Sequence, residues 1–265
     1  MTSTDIDASR LWAVADRLAD AARLETLRHF RSRGLAAESK RADFDPVTVA
    51  DKSAEAAMRT ILAEERPDDA ILGEEHGATA GTSGLTWVLD PIDGTRGYIS
   101  GTPTWGVLVS VADADGPLLG LIDQPYIGER FRGGLGRASV EGPMGEARLG
   151  VRPTRTLAEA TLFTTFPEVG SPEEGAAFRR VASEVRLTRY GCDCYAYALL
   201  AAGQIDLVIE AGLQPYDVQA PIAVIEAAGG IVTDWTGGRA DGGGRILAAA
   251  TPEIHAAAME RLACA

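Results

Sequence analysis

Three short acidic segments contain the residues of this 265-residue chain that could do chemistry. They are Gly73-Glu74-Glu75, Asp90-Pro91-Ile92-Asp93-Gly94-Thr95 and Pro215-Tyr216-Asp217. In the middle segment, a proline and a glycine favour a turn that can aim the carboxylates of Asp90 and Asp93 and the Ile92 carbonyl at one point. Oxygen ligands clustered in this way suit hard cations, Mg²⁺ above all.

Each acidic segment also has a purely structural explanation. Asp-Pro and Asp-Gly pairs are ordinary turn formers, and Glu-Glu after a strand is usually a solvated edge. Taken together, however, several carboxylates at strand ends repel one another and are costly unless cations neutralise them. The combination therefore predicts a metal site. Gly94 and Thr95 are expected to open a short helix, whose free N–H groups would favour a phosphate oxygen.

Composition excludes several classes of protein. A net charge of -13 argues against a nucleic-acid binder, because phosphate backbones need clustered cations. No run approaches the roughly 20 apolar residues that cross a bilayer, and Met1–Arg10 has no apolar signal-peptide core. The three cysteines, Cys192, Cys194 and Cys264, fit neither a disulfide framework nor a zinc site. We therefore expect an enzyme of a reducing cytoplasm.

The elements that must position the acidic segments follow from hydrophobic periodicity. Apolar residues at helical spacing predict helices over Leu11–Arg33, Asp51–Glu65, Glu173–Ser183, Asp193–Ala202, Asp217–Ala228 and Pro252–Leu262. Apolar runs between glycine turns predict strands over Ile71–Leu72, Trp87–Leu89, Trp105–Ala112, Leu118–Asp123, Arg130–Phe131, Ala160–Thr165, Val185–Thr188, Asp206–Glu210 and Arg245–Ala249. With no clear break, we expect one catalytic domain over 1–265. Its α+β half would cover about 1–150 and its α/β half about 151–265.

The motifs as a set resemble those of the inositol monophosphatase superfamily. The likeness includes the three acidic segments, Pro46-Val47-Thr48-Val49-Ala50-Asp51 and Glu226-Ala227-Ala228-Gly229-Gly230, in order and spacing, over about residues 40–235. Lys40 also stands near a position where that family often has a lysine. The resemblance implies a layered αβαβα sandwich, Mg²⁺-dependent hydrolysis of phosphate monoesters and a homodimer.

The resemblance also implies roles by position. Its metal ligands, for two to three Mg²⁺ ions, would be Glu74, Asp90, the Ile92 carbonyl, Asp93 and Asp217. Glu74 and the Thr95 hydroxyl, the latter polarised by Asp51, would position the attacking water. The amides of Gly94 and Thr95 would hold phosphate oxygens, and Asp93 and Asp217 would also contact the substrate.

The substrate is predicted from the segment around Asp193. Gly191-x-Asp193-x-Tyr195 resembles the histidinol-phosphate phosphatases of the superfamily, whereas inositol phosphatases usually have a small, uncharged residue at this position. Histidinol phosphate has an ammonium and an imidazole, which Asp193 and Glu210 would face. Asp193 also has an ordinary interpretation as a helix cap, and Arg189 would contact phosphate or a neighbouring subunit.

The sequence is also compatible with two other functions. The first is an inositol-1-phosphatase of broad specificity, because the metal motif is the same for several phosphate esters. The second is a non-catalytic metal or phosphate sensor that kept the fold. We expect a histidinol-phosphatase that uses a small phosphate monoester and binds neither nucleic acid nor membrane.

Overall fold

The computed structural model describes residues 7–33, 37–39 and 46–263. Lys40 and Cys264 lie outside the described residues. No helix within these ranges combines the length and the apolar content needed to cross a membrane.

Seven helices form within the described ranges. They are α1 (Ala8–His29), α2 (Val49–Glu65), α3 (Thr95–Ile99), α4 (Pro172–Ala182), α5 (Asp193–Ala201), α6 (Pro215–Ala227) and α7 (Pro252–Ala263), with a 3-10 turn at Leu157–Glu159. Side chains at the N-termini explain several starts. The Thr48–Asp51 pair forms a capping box at α2, and Ser171 with Glu174 forms one at α4, so orphan amides of the first turns are satisfied.

Two large sheets and one small ribbon contain the strands. The ribbon pairs β1 (Glu38–Ser39) with β2 (Pro46–Val47). The first large sheet, in the order β10-β9-β8-β7-β6-β5-β3-β4, contains β3 (Ala70–Gly73), β4 (Gly77–Thr79), β5 (Thr86–Asp93), β6 (Gly106–Asp113), β7 (Gly116–Gln124), β8 (Glu129–Gly134), β9 (Arg137–Gly142) and β10 (Gly145–Arg148). The second, in the order β12-β11-β13-β15-β14, contains β11 (Thr161–Thr164), β12 (Leu187–Tyr190), β13 (Leu207–Leu213), β14 (Ile231–Thr233) and β15 (Gly244–Ala249).

The helices and the two large sheets form five layers, with apolar cores between them. α1 and α2 share a core with one face of the first sheet. α5 and α6 are packed between the two sheets, and α4 and α7 cover the outer face of the second. The predicted αβαβα sandwich is confirmed.

Two glycines of the first sheet let α6 approach it closely. A Cβ on Gly120 would lie 2.2 Å from the Ala220 carbonyl oxygen, and one on Gly133 would lie 2.3 Å from the Val224 Cα. Real Cβ atoms do not come this close, so larger residues here would push α6 away. This matters for function because the first turn of α6 contains Asp217.

The observed elements differ from the predicted ones at particular places. The predicted helix to Arg33 ends at His29, because Phe30 leaves helical geometry (ψ 127°) and packs against Tyr98 and Trp105. The second-sheet strand predicted from Val185 begins at Leu187, where parallel pairing with β11 starts. β4 and β10 were not predicted because their exposed side chains give no apolar alternation, and β9 was not predicted although its half-buried Ala138 and Val140 alternate with polar residues.

Candidate active site

A cavity of about 310 Å³ lies where the two sheets meet α3, α5 and α6. Nine of the predicted site residues line it, from both halves of the chain: Glu74, Asp90, Ile92, Asp93, Gly94, Thr95, Asp193, Glu210 and Asp217. Asp51 lies behind Thr95 and is fully buried. Arg189 is exposed on β12 and does not line the cavity. The structure thus brings all the predicted residues together except Arg189.

An irregularity in β5 aims the central carboxylates. Pairing with β6 is shifted between Asp90 and Asp93, at a place where Pro91 has no N–H to give to the ladder. Asp90 Oδ1 accepts the Ile92 N–H at 3.0 Å, which fixes the side chain inside the turn. The predicted strand ended near Asp90, but β5 continues through this bulge to Asp93.

Asp90, Asp93 and Asp217 form a compact acidic cluster. One carboxylate oxygen from each lies within 4.8 Å of the others. Asp217 is held by the capping box of α6, where its Oδ2 accepts the Gln214 N–H at 2.7 Å. Asp93 Oδ2 accepts the Cys194 N–H at 2.5 Å, which ties β5 to the start of α5.

Burial makes ionisation of this cluster costly. Desolvation raises the pKa values of Asp90 and Asp93 well above the ordinary range, and repulsion from neighbouring carboxylates raises them further. Desolvation likewise raises the pKa of Asp217 to about 7. A bound divalent cation would supply the missing counter-charge. The donor set, which contains oxygen and no imidazole, fits Mg²⁺.

The Thr95 hydroxyl lies between the Ile92 carbonyl and the buried carboxylate of Asp51. Its oxygen lies 3.1 Å from the Ile92 carbonyl oxygen and 3.4 Å from Asp51 Oδ1. The other oxygen of Asp51 accepts the Thr48 N–H at 2.8 Å and the Thr48 hydroxyl at 2.6 Å. Asp51 therefore anchors the start of α2 and faces Thr95 at the same time. Desolvation raises its pKa.

Asp193 and Glu210 line the side of the cavity formed by the second half of the chain. Asp193 begins α5 with a left-handed φ of 44°, and burial with repulsion from Glu210 raises its pKa to about 7. Glu210, 6% exposed, accepts the Thr165 N–H at 2.9 Å and the Tyr197 hydroxyl at 2.9 Å. Two carboxylates therefore face a pocket with little positive charge.

Among the cavity residues that the sequence analysis did not predict, three make contacts that shape the site: Arg96, Phe166 and Tyr197. Of the cavity-lining residues between 46 and 263, Arg96 is the only cationic one, and its guanidinium lies 4.9 Å from the centre of the Phe166 ring. Tyr197 is buried and also holds Glu210. The sequence shows that Arg96 is next to Thr95. It does not show the contact between Arg96 and Phe166 or the hydrogen bond between Tyr197 and Glu210, because each joins residues on different elements of the fold.

Comparisons with known proteins agree with this geometry. A sequence profile of the inositol monophosphatase family matches residues 7–265. The bifunctional phosphatase IMPL2, chloroplastic, of Arabidopsis thaliana is 42% identical over 98% of this chain and 77% of its own length. The histidinol-phosphatase of Streptomyces coelicolor is 36% identical over 84% of this chain and 86% of its own length.

A solved structure has the same fold. An inositol monophosphatase from Zymomonas mobilis superposes with a TM-score of 0.86 at 36% identity, covering 98% of this chain and 100% of that one. The layered fold, the acidic cluster at the end of β5 and a match over almost the whole sequence lead to one assignment: the chain belongs to the inositol monophosphatase family, a family of phosphatases that are generally Mg²⁺-dependent.

Proposed function

We propose that this protein hydrolyses L-histidinol phosphate to L-histidinol and phosphate with two to three bound Mg²⁺ ions. One observation carries the choice of substrate: Asp193 and Glu210, both carboxylates, line the cavity beside the acidic cluster. The leaving alcohol histidinol has an ammonium and an imidazole, which pair with such carboxylates. A neutral polyol gains no charge pairing from them.

The metal ligands in this proposal are the residues predicted from the sequence. Glu74, Asp90 and the Ile92 carbonyl would hold one ion, and Asp90, Asp93 and Asp217 a second. When bound, Mg²⁺ would supply a lowered pKa for a water molecule and counter-charge for the phosphate and the leaving oxygen.

The other steps belong to side chains and amides of the chain. Glu74 and the Thr95 hydroxyl orient the attacking water, and Asp51 orients Thr95. The amides of Gly94 and Thr95 hold phosphate oxygens as the water oxygen bonds to phosphorus. The attacking water releases one proton to solvent, the bond from phosphorus to the histidinol oxygen breaks, and that oxygen takes up one proton from solvent. Asp193 and Glu210 hold the nitrogens of the leaving group.

A second candidate is inositol-1-phosphatase activity. The solved relative from Zymomonas mobilis is an inositol monophosphatase, and the Arabidopsis relative is called bifunctional. The acidic cluster would act on either ester, because it contacts the phosphate group that both have. Support for histidinol phosphate comes from the Streptomyces relative's name and from Asp193.

Steady-state phosphate release separates the two candidates. With equal Mg²⁺ concentrations, we expect kcat/KM for L-histidinol phosphate to exceed that for inositol 1-phosphate by at least about tenfold, equivalent to about 1.4 kcal/mol. A preference for the inositol ester would overturn the proposal. No Mg²⁺-dependent release from either ester would favour the sensor alternative.

Homodimer formation and a cytoplasmic location stay predictions. Light scattering of the purified protein tests dimer formation, since a dimer would have twice the 27.8 kDa mass of the chain. Arg189, exposed on β12 and outside the cavity, would then approach the partner subunit rather than the phosphate. Exchange of Arg189 for Gln tests this role through the oligomeric state.

A further inference from the structure

We propose that Glu55 is a positioning residue that fixes the location of Glu74 by holding the turn between β3 and β4. The inference rests on the proposed function, because it assumes that Glu74 orients the attacking water. Glu55 itself does not line the cavity. It lies on α2, fully buried beneath the turn.

The Glu55 carboxylate accepts two consecutive amides of the turn. Its Oε2 lies 2.7 Å from the Glu75 nitrogen and its Oε1 3.2 Å from the His76 nitrogen. On the other side of the turn, the Glu74 N–H donates to the Leu89 carbonyl of β5 at 3.2 Å. Glu74 is thus clamped between β5 and a buried charge. Charge-assisted bonds of this kind are the stronger class of hydrogen bond.

Gly73 allows the carboxylate to come this close. A Cβ on Gly73 would lie 2.1 Å from Glu55 Oε1, far inside van der Waals contact. The carboxylate therefore fills the space where a side chain at residue 73 would be. The shape of the turn depends on Glu55 and Gly73 together.

Arg59 completes the link between α2 and the hairpin. Its Nε donates to Glu55 Oε1 at 2.7 Å, one helical turn away, which balances the buried charge. The same guanidinium donates to the Thr79 hydroxyl at 2.9 Å and to the Gly77 carbonyl. The middle of the turn and the strand β4 that follows it are therefore fixed to one helix, while the start of the turn is bonded to β5.

The same helix also holds the second water-orienting group. Asp51 precedes Glu55 by one helical turn, and its Oδ1 faces the Thr95 hydroxyl. α2 consequently sets Glu74 and Thr95 relative to each other. A shift of about 1 Å in catalytic geometry can cost on the order of 100-fold in rate. Loss of the Glu55 contacts should therefore lower kcat and leave substrate affinity nearly unchanged.

The substitution Glu55→Gln tests the inference, because an amide keeps the shape but replaces one carboxylate oxygen with an NH2 group, which cannot accept a hydrogen bond from the turn. We expect kcat to fall at least about tenfold with KM within about twofold. We also expect whichever of the Glu75 and His76 amides faces the NH2 group to exchange hydrogen at least about tenfold faster. Unchanged kcat, or unchanged exchange at these two amides, would overturn the inference.

Asp69→Asn is the matched control. Asp69 is a buried carboxylate that pairs with Arg66 Nε at 2.6 Å and accepts the Trp87 indole N–H at 2.8 Å, away from the turn. This variant should lose stability but keep kcat within about twofold. An equal loss of kcat in the two variants would show a merely structural effect and overturn the inference.

Arg59→Lys is a second test of the inference, to be used if the Glu55→Gln variant does not fold. A lysine keeps the charge beside Glu55 but loses the fork that reaches Thr79 and Gly77, so kcat should fall and KM should stay. Unchanged kcat in this variant would also contradict the inference. The exchange measurement needs no substrate, and kcat is read on whichever phosphate monoester the wild-type protein hydrolyses. A wrong substrate assignment therefore gives a different result from a wrong role for Glu55.

Discussion

The Asp193 side chain occupies the space that a Cβ on Gly94 would need. Such an atom would lie 2.8 Å from Asp193 Cγ. Both backbones are left-handed, with φ 87° at Gly94 and 44° at Asp193. The proposed specificity residue therefore packs directly on the proposed phosphate-binding loop. Changes at either position should be felt at the other.

Asp193→Asn should separate charge from shape. Asparagine adopts a left-handed φ more readily than alanine does. The Asn variant should therefore preserve the backbone conformation at the start of α5. Without the negative charge, KM for L-histidinol phosphate should rise at least about tenfold, while KM for inositol 1-phosphate should change less than about twofold. Steady-state kinetics on the two esters measures this. Equal losses on both would remove Asp193 from the specificity role.

Gly94→Ala should lower kcat/KM on both esters by at least about tenfold. The new methyl group must displace Asp193 or the loop that holds the phosphate. Gly84→Ala is the matched control, because Gly84 has the same φ of 87° and nothing within 4 Å of the added carbon. Both variants should lose about 1 kcal/mol of stability from backbone strain. Loss of activity in both would show that strain alone is responsible.

Thr95→Val should lower kcat by about 100-fold with little change in fold stability. Valine keeps the shape of threonine but has no hydroxyl to orient water or to face Asp51. Thr95→Ser retains the hydroxyl and should stay within about threefold of wild-type kcat. Single-turnover phosphate release compares the three proteins. Equal activity of the Val and Ser variants would exclude a role for the hydroxyl.

Asp217→Asn should stabilise the metal-free protein at alkaline pH. The pKa of Asp217 is raised from 3.8 to about 7 in the fold, so the folded state binds the extra proton. The stability that Asp217 contributes through this proton is fully present below about pH 3.8, and it is lost as the folded-state carboxyl ionises while the pH rises through about 7. In EDTA at pH 8, Tm of the variant should exceed that of wild type by about 2–4 °C, roughly 1 kcal/mol, and the excess should vanish near pH 4.

Added Mg²⁺ provides the control for the Asp217 prediction. Ligand that binds only the folded state stabilises it, so wild type should gain more in Tm than the variant. A wild-type protein more stable than the variant at pH 8 in EDTA would contradict the raised pKa.

The acidic cluster of Asp90, Asp93 and Asp217 was predictable because its signals are local. Asp90 and Asp93 lie in the last four residues of β5 beside Pro91 and Gly94, and Asp217 lies in the first turn of α6 after Pro215; such turn and cap chemistry is visible in the sequence. The five layers followed from the resemblance of these motifs to a known family. Local patterns alone gave only the alternation of strands and helices.

The contacts that support the site were not predictable in this way. Glu55 reads as one polar residue of an amphipathic helix, and nothing local indicates that it meets the amides of a turn twenty residues further on. Phe166 and Arg96 meet only after the two sheets are packed together. These contacts are determined by tertiary packing, which the local secondary-structure propensity of the sequence does not reveal.

The most direct test of the central claim is anomalous diffraction from crystals of the wild-type protein grown with Mn²⁺ as a substitute for Mg²⁺. The account predicts at least one peak within about 2.5 Å of carboxylate oxygens from Asp90, Asp93 and Asp217 together. A well-ordered cavity in which these three side chains bind no ion would contradict it.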